Sequence, residues 1–177
     1  MGLYILSELQ KIDGFKCGLY RDDGLGVSTL PKRVIEHSIK KKIIEIFEKC
    51  DLKIVVNCNQ VSVDFLNVNL DLKEGVYKPF RKPNNEILYI SKKSNHPPTV
   101  TKNIPKSIGK MLSTLSSNEE IFVEASGDYI EALLKSGYDE KIEYEKPVCG
   151  QKTKNSKKEK GLFYGLILLG MKIWSQI

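Results

Sequence analysis

The chain has 177 residues, 41% of them hydrophobic and 28% charged, with a net charge of +6. This is enough apolar material for one packed core, and too much for a disordered polyelectrolyte. Six lysines and one acid fall in residues 151–177, so five of the six net charges belong to that tail, and a uniformly basic nucleic-acid clamp is excluded for the body. The four cysteines (Cys17, Cys50, Cys58 and Cys149) form no CxxC, and His37 and His96 are not spaced as zinc ligands. They read as reduced, buried thiols. The first residues lack a charged region and a small-residue cleavage site, so an intracellular location, cytoplasm or nucleus, is expected.

Leu3, Leu6 and Leu9 recur every third residue and predict a short helix over Gly2 to Leu9. Two apolar runs come next, Phe15 to Tyr20 and Leu25 to Leu30, flanking Tyr20-Arg21-Asp22-Asp23-Gly24. They predict a hairpin with an Asp-Gly turn. Ser28 or Thr29 is placed to cap a helix starting near Pro31. Ile35, Ile39, Ile43, Ile46, Phe47 and Cys50 give that helix one apolar stripe. Leu52 to Cys58 reads as a strand. From Val61 to Leu72 the alternation changes phase near Phe65 and Leu66, which predicts a bulge or bend there. A turn at Lys73-Glu74-Gly75 then leads into Val76 to Phe80, a second hairpin.

Arg81-Lys82-Pro83-Asn84-Asn85 is a basic turn, Ile87 to Ile90 a short strand, and Ser94 to Pro98 a stiff linker. Ile104, Ile108, Met111, Leu112 and Leu115 share one helical face. A capping box at Ser117 to Glu120 opens a second helix, with a stripe of Ile121, Phe122, Ala125, Tyr129, Ala132 and Leu133, ended by Gly137. Residues 151–160 are polar and Lys-rich. Leu162 to Trp174 is apolar, short for a membrane span, and reads as a buried or interfacial helix.

Two adjacent carboxylates at a hairpin tip offer hard oxygen ligands that suit Mg²⁺ or Mn²⁺. Read alone, the tetrapeptide favours an ordinary solvated Asp-Gly turn. Tyr20-Arg21-Asp22-Asp23 resembles the YxDD box of reverse transcriptases. The downstream order is similar too: a helix, an extended run, Phe65-Leu66-Asn67-Val68, Arg81-Lys82-Pro83-Asn84-Asn85 and Ser94-Asn95-His96-Pro97-Pro98. Over residues 1–146 the chain resembles the palm and early thumb of retroelement reverse transcriptases, Penelope-like or related animal mobile elements.

That resemblance implies an α+β fold, with an antiparallel palm sheet and packed helices over residues 1–92, a small helical thumb-like part over 93–146, and a basic linker and apolar tail over 147–177. It implies that Asp22 and Asp23 bind Mg²⁺ or Mn²⁺ in a nucleotidyl transfer, with Tyr20 beneath the incoming nucleotide or primer end. Lys53 becomes a general-acid candidate. Phe65 and Leu66 would shape a primer grip, and Arg81 and Lys82 would meet nucleic acid. The partners would be an RNA template, a DNA primer and deoxynucleotides. The family box reads FLDV, and Asn67 here replaces its Asp. The strand that carries a further catalytic Asp in such palms does not precede Gly2 to Leu9, so the chain is expected to be a fragment of a larger polymerase, inactive or nearly so by itself. Two alternatives stand beside this: a non-catalytic nucleic-acid-binding remnant, and a protein- or membrane-surface module driven by the tail.

Overall fold

Phe15–Tyr20 (β1) and Asp23–Ser28 (β2) pair antiparallel from Phe15 opposite Ser28 to Tyr20 opposite Asp23. They are two of four strands in the sheet of the first unit of this computed structural model, which describes residues 2–146 and 165–171. The class is α+β, with helices beside small antiparallel sheets. The chain divides into two units: of the described residues, 2–65, 71–75 and 165–171 belong to the first, and 66–70 and 76–146 to the second.

The first sheet has the order β1-β2-β7-β3, where β3 is Ile54–Gln60 and β7 is Gly165–Met171. In β1 the buried and half-buried positions Phe15, Cys17 and Leu19 alternate with exposed Lys16, Gly18 and Tyr20. One face is therefore core and the other open. Directly opposite the core positions lie Ser28, Gly26 and Gly24. A side chain at Gly26 would collide with the Phe15 ring, whose Cε2 lies 2.3 Å from where its Cβ would stand. Glycine is required here because the ring occupies that space. Ser28 is fully buried, donates to the Gly14 carbonyl at 2.9 Å and accepts from Leu30 N–H at 3.2 Å. It ties the hairpin ends together and does not cap the next helix, which starts at Pro31 without a side-chain cap.

That helix runs as α2 (Lys32–Val34), a π-helical turn (Ile35–Ile39) and α3 (Lys40–Glu48). Ile35, Ile39, Ile43 and Phe47 are each at most 3% exposed and recur every fourth residue. Four residues overshoot a turn of about 3.6, so such a stripe drifts around a regular helix. A π turn, closing i to i+5, takes up the drift and keeps the four side chains on one face. With Ile5 and Leu9 of α1 (Gly2–Gln10), they form the core together with Phe15, Val56 and Ile167.

Strand β7 overturns the helix expected over Leu162 to Trp174. Its backbone pairs antiparallel with β2, from Asp23 opposite Gly170 to Ser28 opposite Gly165, and with β3, from Ile54 opposite Met171 to Gln60 opposite Leu166. Strands buried within a sheet read as unbroken apolar runs, so periodicity could not separate strand from helix here. Ile167 is fully buried in the first core. The basic segment 151–160 lies outside the described residues.

A second sheet has the order β4-β5-β6, from Ser62–Phe65, Val68–Asp71 and Val76–Pro79. The phase change near Phe65 and Leu66 is a chain reversal and not a bulge. Leu66 takes a positive φ of 54° between β4 and β5, so the alternation restarts on a new strand.

In the second unit α4 (Pro98–Leu115) and α5 (Glu119–Lys135) enclose a core of Ile108, Leu112, Phe122, Leu133 and Tyr138. Asn118, one residue past the expected Ser117, caps α5 by accepting from Ile121 N–H at 2.9 Å. Gly137, at φ 87°, ends it. Tyr138 N–H reaches the Leu133 carbonyl and Gly137 N–H the Leu134 carbonyl, both at 3.0 Å, which satisfies the last carbonyls of the helix. Residues 87–90 are not a strand. The Tyr138 hydroxyl donates to the Ile90 carbonyl at 2.9 Å and Lys92 N–H to the Ser136 carbonyl at 2.9 Å, so the end of α5 supplies the bonds that a ladder would have made.

Lys92 bridges Asp139 at 2.6 Å and Glu140 at 2.9 Å. Its ammonium holds both carboxyls below their ordinary values of 3.8 and 4.5. Folded-state values below the unfolded ones mean stability that is present at neutral pH and lost as pH falls through the lowered values. Acid titration of thermal stability should therefore show a loss beginning near pH 4.5, and Lys92→Met should shrink it. An identical acid profile in the variant would show that the cluster contributes nothing.

Candidate functional site

The loop between β1 and β2 holds two residues, Arg21 and Asp22. Asp23 is the first residue of β2, paired with Tyr20. The expected Asp-Gly turn is thus displaced by two positions. Arg21 carries the positive φ of 53° that a tight hairpin loop demands, and Gly24 lies buried inside the strand. Asp22 and Asp23 are exposed, and Tyr20 is 52% exposed with the Arg21 guanidinium 5.7 Å from its ring centre. Directly paired residues project to the same side of a sheet, so Tyr20 and Asp23 share the open face, away from the core.

Asp23 is also opposite Gly170 of β7, and Gly170 is opposite Val55 of β3. Lys53 immediately precedes β3 and is exposed. It lies at the sheet end that carries Asp22, two strand spacings or about 10 Å across from β2. The structure therefore places Tyr20, Asp22, Asp23 and Lys53 at one end of one sheet. Two carboxylates suit Mg²⁺ or Mn²⁺ as hard oxygen donors. Among the described residues, no group of three or more His, Cys, Asp or Glu is placed to hold a metal ion. The strand next to the hairpin offers Gly170 at the position facing Asp23.

The other candidates are elsewhere. Phe65 is the half-buried last residue of β4, in the first unit. Leu66, Arg81 and Lys82 belong to the second unit and line one cavity there with Asn67, Tyr89 and Tyr129. Arg81 is held by Asp128 at 2.8 Å. The sequence did not single out Tyr89, whose hydroxyl burial pushes up to about 12. The available signal was a lone aromatic residue in an otherwise irregular segment. Cys17 is an inert core thiol, pushed up to about 11 by burial.

Comparison with protein-family models, curated proteins and solved structures returns no match. Among the described residues, no helix is long and apolar enough to cross a membrane.

Proposed function

We propose that this chain is the palm and early thumb portion of a retroelement reverse transcriptase, with the Tyr20 to Asp23 hairpin as its metal-binding tip. The observation that carries the proposal is the placement of that tetrapeptide. Asp22 stands at a tight hairpin tip and Asp23 beside it on the open face of an antiparallel sheet, whose other face is covered by α1 and α3. In this role Asp22 and Asp23 would hold Mg²⁺ or Mn²⁺, which supplies charge neutralisation at the transferring phosphoryl group. Tyr20, on the same face, would support the nucleotide or primer end. Lys53 is at the right end of the sheet to meet a leaving phosphate.

A two-ion clamp needs a carboxylate that bridges both ions, gathered from a second strand. Gly170 faces Asp23 from β7 and brings none. In this reading the chain alone is inactive or nearly so in synthesis, and its intact parent would extend a DNA primer on an RNA template with deoxynucleotides. The position of β7 inside the sheet, with Ile167 in the core, counts against a free tail acting as a membrane-surface module.

Metal binding tests the tip directly. Mn²⁺ titrated into the chain with a primer–template duplex and a deoxynucleotide should bind about tenfold or more tightly to the wild type than to Asp22→Asn. Superimposable titrations would rule out the metal site.

A further inference from the structure

Residues 85–91 run without turn or bend, and their exposure alternates: Ile87 and Tyr89 are half-buried, while Glu86, Leu88 and Ile90 are exposed. The side chains are disposed as in a strand, and what is missing is the neighbour. In an extended chain the amide and carbonyl of one residue point to one edge, and those of the next residue to the other. The edge of Ile90 and Lys92 is satisfied by the end of α5, through the Tyr138 hydroxyl and the Ser136 carbonyl. The opposite edge belongs to Ile87, Tyr89 and Ser91. Among the described residues, none of their three amides has a hydrogen-bond partner. The Tyr89 carbonyl meets the Ser136 hydroxyl only at a long 3.4 Å, and that hydroxyl lies closer to the Ala132 carbonyl, at 3.0 Å.

Beside the segment lies a groove of about 640 Å³, between Leu88, Tyr89 and Ile90 on one side and Val100, Ile104 and Ile108 of α4 on the other. No residue of α5 lines it, so it lies away from the satisfied edge. No charged residue lines it either, and it offers nothing to a phosphate. Leu88 is 82% exposed and Ile90 40%. One exposed leucine is ordinary. Two apolar side chains at alternate positions of an extended segment with unused amides make an edge that suits another strand. The chain itself carries a strand that fits. Set antiparallel about a twofold axis at Tyr89, the segment matches a copy of itself. Leu88 of one copy falls opposite Ile90 of the other, and Glu86 opposite Lys92, so no like charges meet. The free edges also coincide in this register, with Tyr89 against Tyr89 and Ile87 against Ser91. Moving the axis to Leu88 would set Ile90 against Glu86. The Ser91 carbonyl already accepts from Ser94 N–H at 3.0 Å, which ends the strand there.

We propose that this segment is a dimerisation strand, in which residues 86–92 of two copies of the chain pair antiparallel across a twofold axis at Tyr89. The Tyr89 amide of each copy donates to the Tyr89 carbonyl of the other, and the Ser91 amide of each to the Ile87 carbonyl of the other. Leu88 and Ile90 of the two copies pack together on the outer face of the ribbon, and the groove beside α4 gives the second strand its room. The interface uses neither Asp22 nor Asp23 and stands or falls apart from the polymerase reading.

The test is sedimentation velocity of the full chain. A paired strand is a small interface, so a reversible monomer–dimer equilibrium is expected between about 5 and 500 µM. Leu88→Glu should weaken it about tenfold or more, because each dimer contains the altered pair twice. The Leu88 side chain is exposed, so the fold tolerates the change. Ile90→Lys should weaken association in the same way. An equimolar mixture of the two variants should associate more tightly than either alone, since the substituted positions then face each other with opposite charge and the native Leu88 faces the native Ile90. Asp22→Asn should change none of this, and failure of the metal tip would appear in Mn²⁺ binding instead. A chain that stays monomeric at the top of the concentration range would overturn the proposal and leave the edge to a different protein or to none. A dimer untouched by Leu88→Glu would overturn it too, as would a mixture no tighter than its components.

Discussion

Gly26→Val should abolish cooperative unfolding of the first unit or lower its stability by about 3 kcal/mol or more, the upper end of what overpacking costs. The position admits no Cβ, since the Phe15 ring would lie 2.3 Å from it at Cε2 and 2.6 Å at Cζ. Phe15 cannot simply swing away. It is 3% exposed and packed among Ile5, Leu9, Phe47 and the rest of the first core. Any relief must come from the backbone of β2, which is hydrogen-bonded to strands on both sides. Urea unfolding gives the magnitude. A double-mutant cycle gives the cause: combined with Phe15→Leu, Gly26→Ala should cost clearly less than the two changes added separately. Additive costs would show that Gly26 is required for another reason.

Ile167→Asp should be as damaging as a charge placed at any other centre of the core, about 4 kcal/mol or more. Ile167 is fully buried and belongs to the cluster that includes Val56 and Phe47. Its strand is not an appendage. Without β7, β2 and β3 would each present an unpaired edge. Ile167→Ala supplies the scale, since a truncated core isoleucine costs about 2–5 kcal/mol. If Ile167→Asp melted like the wild type, the tail would contribute nothing to the sheet, and the four-stranded arrangement would be wrong.

Much of this architecture was legible because local patterns and the fold agree. The hairpin strands, the helix from Pro31, the stripe from Ile35 to Phe47, and both helices of the second unit arise from period and punctuation. The illegible parts had physical causes. At Arg21-Asp22, pairing of Tyr20 with Asp23 set the loop, and Arg21 accepted a positive φ that composition assigns to the Asp-Gly pair. At Leu66 a leucine took the turn position, so a reversal looked like a bend. At Ile87 to Ile90 the hydrogen-bond partners come from the far end of α5, some 47 residues away in sequence for Tyr89 and Ser136. At Gly165–Met171 the partners are β2 and β3, beyond any local signal. The carboxylate pair was visible from the first. Its neighbours in space, Gly170 and Lys53, depend on sheet order.

The proposed role rests on the claim that the Asp22-Asp23 tip is a polymerase metal site left one carboxylate short. Primer extension tests this most directly, with purified chain, an oligo(dT)-primed RNA template, deoxynucleotides and Mg²⁺ or Mn²⁺, run beside Asp22→Asn. The expected result is no extension by either protein, together with binding of the primer–template duplex that weakens steeply with salt and survives Asp22→Asn. Extension by the wild type that Asp22→Asn abolishes would contradict the claim, because the site would then be complete. Failure of either protein to hold the duplex would contradict it from the other side, by removing the polymerase reading altogether.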